Sequence, residues 1–429
     1  MATITEIRLR NWKSYDESTL FIDQLSVLIG TNAGGKSNAL DALIFLNRIA
    51  SGSLLTSALQ GDAVQAPIRG GLDWAARHPK KDFTIGATIK ADEVTDYEYE
   101  IHCNIIENRC EISSEQLVRI KYRQKRDGSR GAASGEIKLF RTDPCSPDQP
   151  NIVSRLYNEK QGTPRQLTRS VAIIFQLMGQ KSRQEIQDGV DSALQSFRGI
   201  FILDPIPSHM RKFSTLSDRL EADAGNIAGV IAALPESTRK EFANSIKKYI
   251  KELPEREISR VYAETVGKFR TDAMLYCEEN WTDAEGHQPT VDARGMSDGT
   301  LRFLGILTAL LTRPEGSLLV IEEVDNGLHP SRSHLLLNML LEIGSQRNVD
   351  VLVTTHNPAL LDEMGTRMVP YITVAHRDRA TGASRLTLLE DIRLLPKMLS
   401  LGTVGKLSSK GIIERVLRRD ADQLTLSFE

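Results

Sequence analysis

Apolar positions along this chain fall into two rhythms. Residues 4–10 mix Ile4, Ile7 and Leu9 with Glu6, Arg8 and Arg10, the texture of an edge or half-buried strand. Residues 25–29, Leu-Ser-Val-Leu-Ile, read as a buried strand, and from 38 to 46 the apolar residues return at helical spacing. Beyond them, β-branched and aromatic enrichment with polar interruptions predicts antiparallel strands over 83–89, 97–106 and 112–120. These elements make a β-rich first lobe, residues 1–118. From 119 to 169 sustained periodicity stops and a Pro-containing polar stretch runs through 143–150, which predicts a loop-rich insertion. Residues 170–265 read as a helical subdomain, clearest over 226–234 and 242–250, with Pro235 and Pro254 as punctuation. A second lobe, 266–429, opens with a buried helix and continues with apolar strands ending near 321 and 355. The whole is an α/β chain, and no internal repeat or long heptad array stands out.

The joint between the buried strand and the first helix carries the chemistry. Gly30-Thr31-Asn32-Ala33-Gly34-Gly35-Lys36-Ser37 fits G-x-x-x-x-G-K-[ST] and leads directly into Asn38. Glycines let such a loop turn its backbone N–H groups inward on a phosphate, the lysine reaches the β/γ oxygens, and the Ser hydroxyl ligates Mg²⁺. Strand, loop and helix in this order predict a nucleotide site.

Three later segments offer partners for it. Ser297-Asp298-Gly299-Thr300 is a small-residue turn opening the helix through 311, and unpaired N–H groups at such a start attract anions. The apolar run 317–321 ends in Glu322-Glu323. The period of a strand sends these two carboxylates to opposite faces, one for the Mg²⁺ shell (Glu322) and one to orient or deprotonate the attacking water (Glu323). The strand 350–355 ends at His356, at the edge where a parallel sheet binds ligands, within reach of a γ-phosphate.

Composition narrows the partners. With 429 residues, a formal net charge of −2 and 26% charged residues, the chain has no global pull toward nucleic acid or acidic membranes. Any nucleic-acid contact needs a local patch, and Arg119, Lys121, Arg123, Lys125, Arg126 and Arg130 form the most basic stretch. A solvated surface hairpin is the plainer reading of the same run. Cys103, Cys110, Cys145 and Cys277 show no C-x-x-C spacing or metal-ligand rhythm, which suits inert thiols in a reducing cytosol. The longest apolar-rich run, 303–311, is far short of the roughly 20 residues of a spanning helix, so a cytoplasmic protein without membrane contact is expected.

Taken together the motifs resemble an ABC-type ATPase head of the SMC/RecF/OLD-like class, often labelled AAA-family ATPases. The resemblance rests on Ile7-Arg8-Leu9-Arg10-Asn11-Trp12-Lys13-Ser14, the loop 30–37, Ser297-Asp298-Gly299-Thr300, Glu322-Glu323-Val324-Asp325-Asn326-Gly327-Leu328-His329-Pro330 and Thr354-Thr355-His356-Asn357-Pro358, in the family's order. It implies a P-loop NTPase head with a β-rich lobe I, a parallel-sheet lobe II and an inserted helical subdomain. It further implies a homodimer or higher homo-oligomer with two shared ATP·Mg²⁺ sites: the loop 30–37 of one copy meets Ser297, Asp298 and Gly299 of the other, with Asp325 and Asn326 at the D-loop position. Glu322 stands where the family more often has aspartate, Val324 where it often has proline, and Asp298 replaces a glycine of the transporter-type signature. No Q-loop glutamine is identifiable. Compact heads of this kind resemble those that act with a separate effector, a nuclease or toxin, in bacterial phage defence. Three alternatives stay open: a RecF-like repair ATPase binding DNA or RNA through 119–130, a scaffold that holds ATP without turnover, and, more weakly, a transporter ATPase.

Overall fold

In the computed structural model, residues 2–125, 127–251, 258–282, 286, 288–328 and 332–417 are described. Arg126, the His329-Pro330 end of one motif and the basic pair Arg418-Arg419 lie outside them. The first strands are β1 (Thr3–Arg10), β2 (Glu17–Phe21), β3 (Leu25–Ile29), β4 (Asp82–Asp92), β5 (Thr95–Ile106), β6 (Arg109–Gln124), β7 (Arg130–Thr142), β8 (Asn151–Leu156) and β9 (Thr163–Thr168). There follow β10 (Ile200–Leu203), β11 (Ser214–Thr215), β12 (Ile258–Val266), β13 (Asp272–Glu279), β14 (Thr290–Asp292), β15 (Leu318–Ile321), β16 (Asp350–Thr354), β17 (Ile372–Arg377) and β18 (Ser384–Leu388).

The site is organised by a six-stranded sheet of order β10-β15-β16-β3-β17-β18, parallel except for β18. Its short strands are apolar throughout because both faces are covered. Leu28, Leu318, Val320, Leu352 and Ala375 face a core shared with the helices Lys36–Ala50 and Gln184–Arg198. Val27, Leu319, Ile321, Val353 and Val374 face a second core with the helices Asp298–Thr312 and Ser333–Arg347. Full burial of each such Val, Leu or Ile contributes about 1.5–3 kcal/mol. An eight-stranded antiparallel sheet, β2-β1-β4-β5-β6-β7-β8-β9, closes the first core from the far side. A third sheet pairs β13 with β12 on one side and with β11 and β14 on the other, under the helices Ile227–Ala233 and Glu236–Lys251.

Three expectations about organisation change. The segment 119–169 is not loop-rich: β6 runs through the expected boundary at 118, and β7, β8 and β9 extend the antiparallel sheet. Its period was invisible because residues 132–138 are exposed on both faces, so no buried face imposes alternation. Nor is 170–265 one helical body. The helix Gln184–Arg198 buries Ile186, Val190, Ala193, Leu194 and Phe197 against the first core, β10 joins the parallel sheet and β12 is a strand. Finally, β3 belongs to the same sheet as β15 and β16, so the two lobes interleave in sequence. Among the described residues no helix is long and apolar enough to cross a membrane, and the four cysteines are free.

One buried carboxyl in this frame is a titratable support. Glu115 accepts hydrogen bonds from the backbone N–H groups of Ile173 (2.7 Å) and Ile174 (2.8 Å) and from the Tyr99 hydroxyl (3.0 Å). Burial outweighs these donors and pushes its carboxyl from 4.5 up to about 7. The folded state therefore holds a proton that the unfolded state releases. Stability from this group is fully present below about 4.5 and is lost as pH rises through about 7. In urea titrations the native chain should lose up to about 3 kcal/mol between pH 5 and 7.5 relative to Glu115→Gln. Parallel pH profiles for the two proteins would contradict this account.

Candidate nucleotide site

Three strand ends of the parallel sheet meet at one edge. The phosphate loop follows β3, the acids follow β15 and His356 follows β16, the strand between them. A cavity of about 220 Å³ there is lined by Thr31, Asn32, Ala33, Gly35, Lys36, Ser37, Asn38, Glu322, Glu323, Thr354, His356 and Arg377. Ser297, Asp298 and Gly299 are not among its lining residues.

The loop keeps its shape through contacts that exclude a Cβ. Gly30 has φ 133° and Gly35 φ 115°, backbone conformations that L side chains rarely adopt. A Cβ on Gly30 would stand 2.1 Å from the Ala375 carbonyl oxygen, and one on Gly34 2.5 Å from the same atom. Behind the loop, the Tyr15 hydroxyl donates to the Gly35 carbonyl (2.9 Å), Trp12 Nε1 to the Asn38 carbonyl (2.7 Å) and Asn38 Nδ2 to Ser14 Oγ (2.7 Å). Asn38 thus braces the loop from behind while lining the cavity. The Asn-Trp-Lys-Ser opening is its buttress, completed by a buried Lys13–Asp41 ion pair at 2.8 Å.

Lys36 is folded over the loop, donating to the Gly30 carbonyl at 2.6 Å and the Thr31 carbonyl at 3.2 Å. Burial lowers its pKa, while Glu323 and Glu414 oppose that shift. Glu322 and Glu323 do not alternate along a strand as expected, because β15 ends at Ile321 and both lie in the turn that follows. The turn brings both acids to the same cavity. Glu323 sits at φ 47°, its N–H bound to Thr354 Oγ1 (2.8 Å) and the next N–H, of Val324, to the Thr354 carbonyl (3.0 Å). A non-glycine residue there costs of order 1–3 kcal/mol and persists where its surroundings enforce it. Asn326 Nδ2 donates to Glu323 Oε2 (3.3 Å), and the Thr355 hydroxyl donates to Asp325 (2.6 Å) and accepts from the Asn357 N–H (3.0 Å). His356 is lowered below 6.5 by burial and by Lys36, with Glu323 and Asp325 pulling the other way. The net shift favours the neutral ring.

The signature turn does not line this cavity but packs beside the far end of the turn that carries the acids. Ser297 caps the helix Asp298–Thr312, its Oγ accepting from the Thr300 N–H at 3.1 Å. Gly299 is required within the chain itself, since a Cβ there would lie 2.7 Å from the Gly327 carbonyl oxygen.

Two arginines at the site had no sequence signal, Arg377 in the cavity lining and Arg69 bonded to its wall. Arg69 binds both Glu322 oxygens (2.7 and 2.9 Å), Asp41 (3.3 Å) and the Ser37 carbonyl (3.3 Å). Burial would lower its pKa, but Glu322 and Asp41 outweigh it and hold the guanidinium above its ordinary value. Arg377 Nε donates to the Ala33 carbonyl (2.9 Å). Neither stands in a recognisable motif: Arg69 precedes a Gly pair in a loop, and Arg377 ends a strand. The hard oxygen donors Ser37 and Glu322 suit Mg²⁺, and both line the same cavity. Among the described residues no group of three or more His, Cys, Asp and Glu side chains could hold a metal by itself.

The described residues of the basic stretch differ in their surroundings. Arg119 is buried and paired with Glu185 (3.2 Å), and Arg130 is clamped on Asp96 (2.7 Å to Oδ1) and stacked 4.2 Å from the centre of the Tyr122 ring. Lys121, Arg123 and Lys125 are exposed.

A family model described as "AAA domain, putative AbiEii toxin, Type IV TA system" matches residues 25–362, from β3 to beyond His356. No curated protein matches the chain. Among solved structures, similarity extends to an SMC head bound to the C-winged helix domain of ScpA, at 14% identity over 90% of this chain and 97% of that one, with a TM-score of 0.49. A Pyrococcus furiosus SMC head with an extended coiled coil, bound to the C-terminal domain of ScpA, gives 12%, 93%, 100% and 0.49. The SMC head domain from Thermotoga maritima gives 12%, 90%, 98% and 0.40.

Proposed function

The chain belongs to the AAA-domain family described as putative AbiEii toxin, Type IV TA system, and on that premise we propose that it binds ATP with Mg²⁺ at the cavity around Lys36 and hydrolyses it. One observation carries the reading: a single cavity gathers Lys36, Ser37, Glu322, Glu323 and His356 from three separate strand ends. Lys36 would leave the loop carbonyls for the β/γ oxygens, and the loop N–H groups would cradle the phosphates. Ser37 and Glu322 would hold Mg²⁺, for which Arg69 would have to yield a Glu322 oxygen. Bound Mg²⁺ supplies neutralisation of charge on the transferring phosphoryl group. Glu323 would orient the attacking water or accept its proton, and neutral His356 would hydrogen-bond the γ-phosphate.

The reading extends to two copies closing around two nucleotides. Its support is that Ser297, Asp298 and Gly299 stand apart from the cavity of their own chain, so a phosphate contact from them would be made to a second copy. Control of a separate effector, a nuclease or toxin, by this closure and a setting in phage defence are further parts of the proposal that rest on resemblance alone. Direct binding of DNA or RNA is less favoured, because Arg119 and Arg130 are committed to Glu185 and Asp96.

The test is ATP turnover per subunit across a range of protein concentration, with and without duplex DNA and with Lys36→Ala as the blank. Turnover per subunit should rise with concentration, as shared sites require. Turnover independent of concentration would count against them, and a salt-sensitive stimulation by DNA would revive the repair-like reading.

A further inference from the structure

The signature turn carries a carboxylate where bound phosphate is expected, and the chain supplies a counter-charge for it. Arg211 Nη2 donates to Asp298 Oδ1 at 2.6 Å and to the Met296 carbonyl at 2.8 Å. One guanidinium nitrogen therefore ties residues 296 and 298, either side of Ser297. The Asp298 side chain is 65% exposed and that of Arg211 26%, so the pair sits at the surface, with the arginine beneath the acid.

Arg211 is held from below. It ends the short turn Pro207–Met210 that follows β10, and Met210 is fully buried against the signature helix, its Cε 3.4 Å from where a Cβ on Gly305 would stand. On the other side, His209 Nδ1 meets Asp223 Oδ2 at 2.7 Å. The segment after β10 is thus fixed to the helix it serves.

Charge is the reason the pair matters. The first turn of a helix favours an acid through its N–H groups, so Asp298 is at home there in the isolated chain. A polyphosphate brought to the same turn meets a like charge, and like charges at short range oppose association. A neutralised Asp298 removes that obstacle while the hydroxyl of Ser297 and the N–H groups of the turn stay available.

We propose that Arg211 is a positioning residue for the shared nucleotide site: by pairing with Asp298 it makes the signature turn acceptable to the ATP polyphosphate bound on a second copy of this chain. The inference rests on the reading that two copies close around ATP, and it adds the residue that permits the closure.

The experiment uses Glu323→Gln as parent, with ATP and Mg²⁺, and follows dimerisation by light scattering over a concentration series. Binding of a fluorescent ATP analogue to the monomer is measured alongside. Adding Arg211→Ala should leave analogue binding unchanged and weaken dimerisation at least about tenfold, equivalent to 1.4 kcal/mol; Arg211→Lys should recover part of it. Adding Asp298→Asn to the Arg211→Ala protein should restore most of the loss, because the unpaired carboxylate is its cause. Asp298→Asn without the arginine change should dimerise at least as well as the parent. Arg211→Ala dimerising like the parent overturns the proposal, and so does a loss that Asp298→Asn does not relieve. An Asp298→Asn protein that dimerises poorly overturns it even where the arginine variant fails to fold. A parent that binds ATP and stays monomeric instead overturns the shared-site reading, and this inference falls with it.

Discussion

Replacing Glu323 by Gln is expected to lower steady-state ATP turnover by about 10²–10⁴-fold, the range for loss of a positioned base, without loss of nucleotide affinity. The expectation follows from how the residue is held. Glu323 occupies a left-handed backbone conformation stitched to Thr354 by two hydrogen bonds, and its carboxylate accepts from Asn326. Glutamine has the same length, and its carbonyl can accept from Asn326, so the turn keeps its geometry. What disappears is basicity and one negative charge beside Lys36 and His356, whose proton affinities Glu323 raises. Phosphate release measured beside equilibrium binding of an ATP analogue separates the two effects. Undiminished turnover would place the base elsewhere.

The parts of this molecule legible in the sequence are those where one short segment carries its own cause. The run 25–29 is apolar at every position but Ser26, the loop 30–37 needs its glycines at fixed offsets, and the acids close an apolar strand, so fold class and phosphate loop could be read directly. The relation between Glu322 and Glu323 was misread because a turn, not a strand, sets their directions, and the bond from Thr354 Oγ1 that shapes that turn comes from 31 residues away. Arg69 illustrates the same limit: its partners Asp41 and Glu322 lie 28 and 253 residues distant. The basic stretch shows the limit in the opposite sense. Arg119 and Arg130 look available in a row of cations, but the row crosses a hairpin whose neighbouring elements present Glu185 and Asp96. Sequence proximity grouped charges of which folding commits Arg119 and Arg130 to ion pairs and leaves Lys121, Arg123 and Lys125 exposed.

Lys36→Ala is expected to weaken ATP binding by roughly 10²–10⁴-fold, from the loss of charge-assisted hydrogen bonds worth about 1.5–3 kcal/mol each, while the chain stays folded. Lys36 is buried, yet it contributes little to the core: its ammonium spans only the Gly30 and Thr31 carbonyls of its own loop. The loop owes its form to other groups, namely Tyr15 on Gly35, Trp12 on Asn38, and the close approach of Gly30 and Gly34 to Ala375. Removing the ammonium leaves those supports in place. Gly30→Ala attacks the same site from the other direction, forcing a Cβ to within 2.1 Å of the Ala375 carbonyl oxygen in a backbone conformation with φ 133°, and should reduce both binding and stability. Analogue binding and thermal unfolding of the two variants distinguish the roles: Lys36→Ala loses affinity at a nearly unchanged melting temperature, whereas Gly30→Ala loses both. A Lys36→Ala protein that binds ATP as tightly as its parent would remove the cavity from consideration as the nucleotide site.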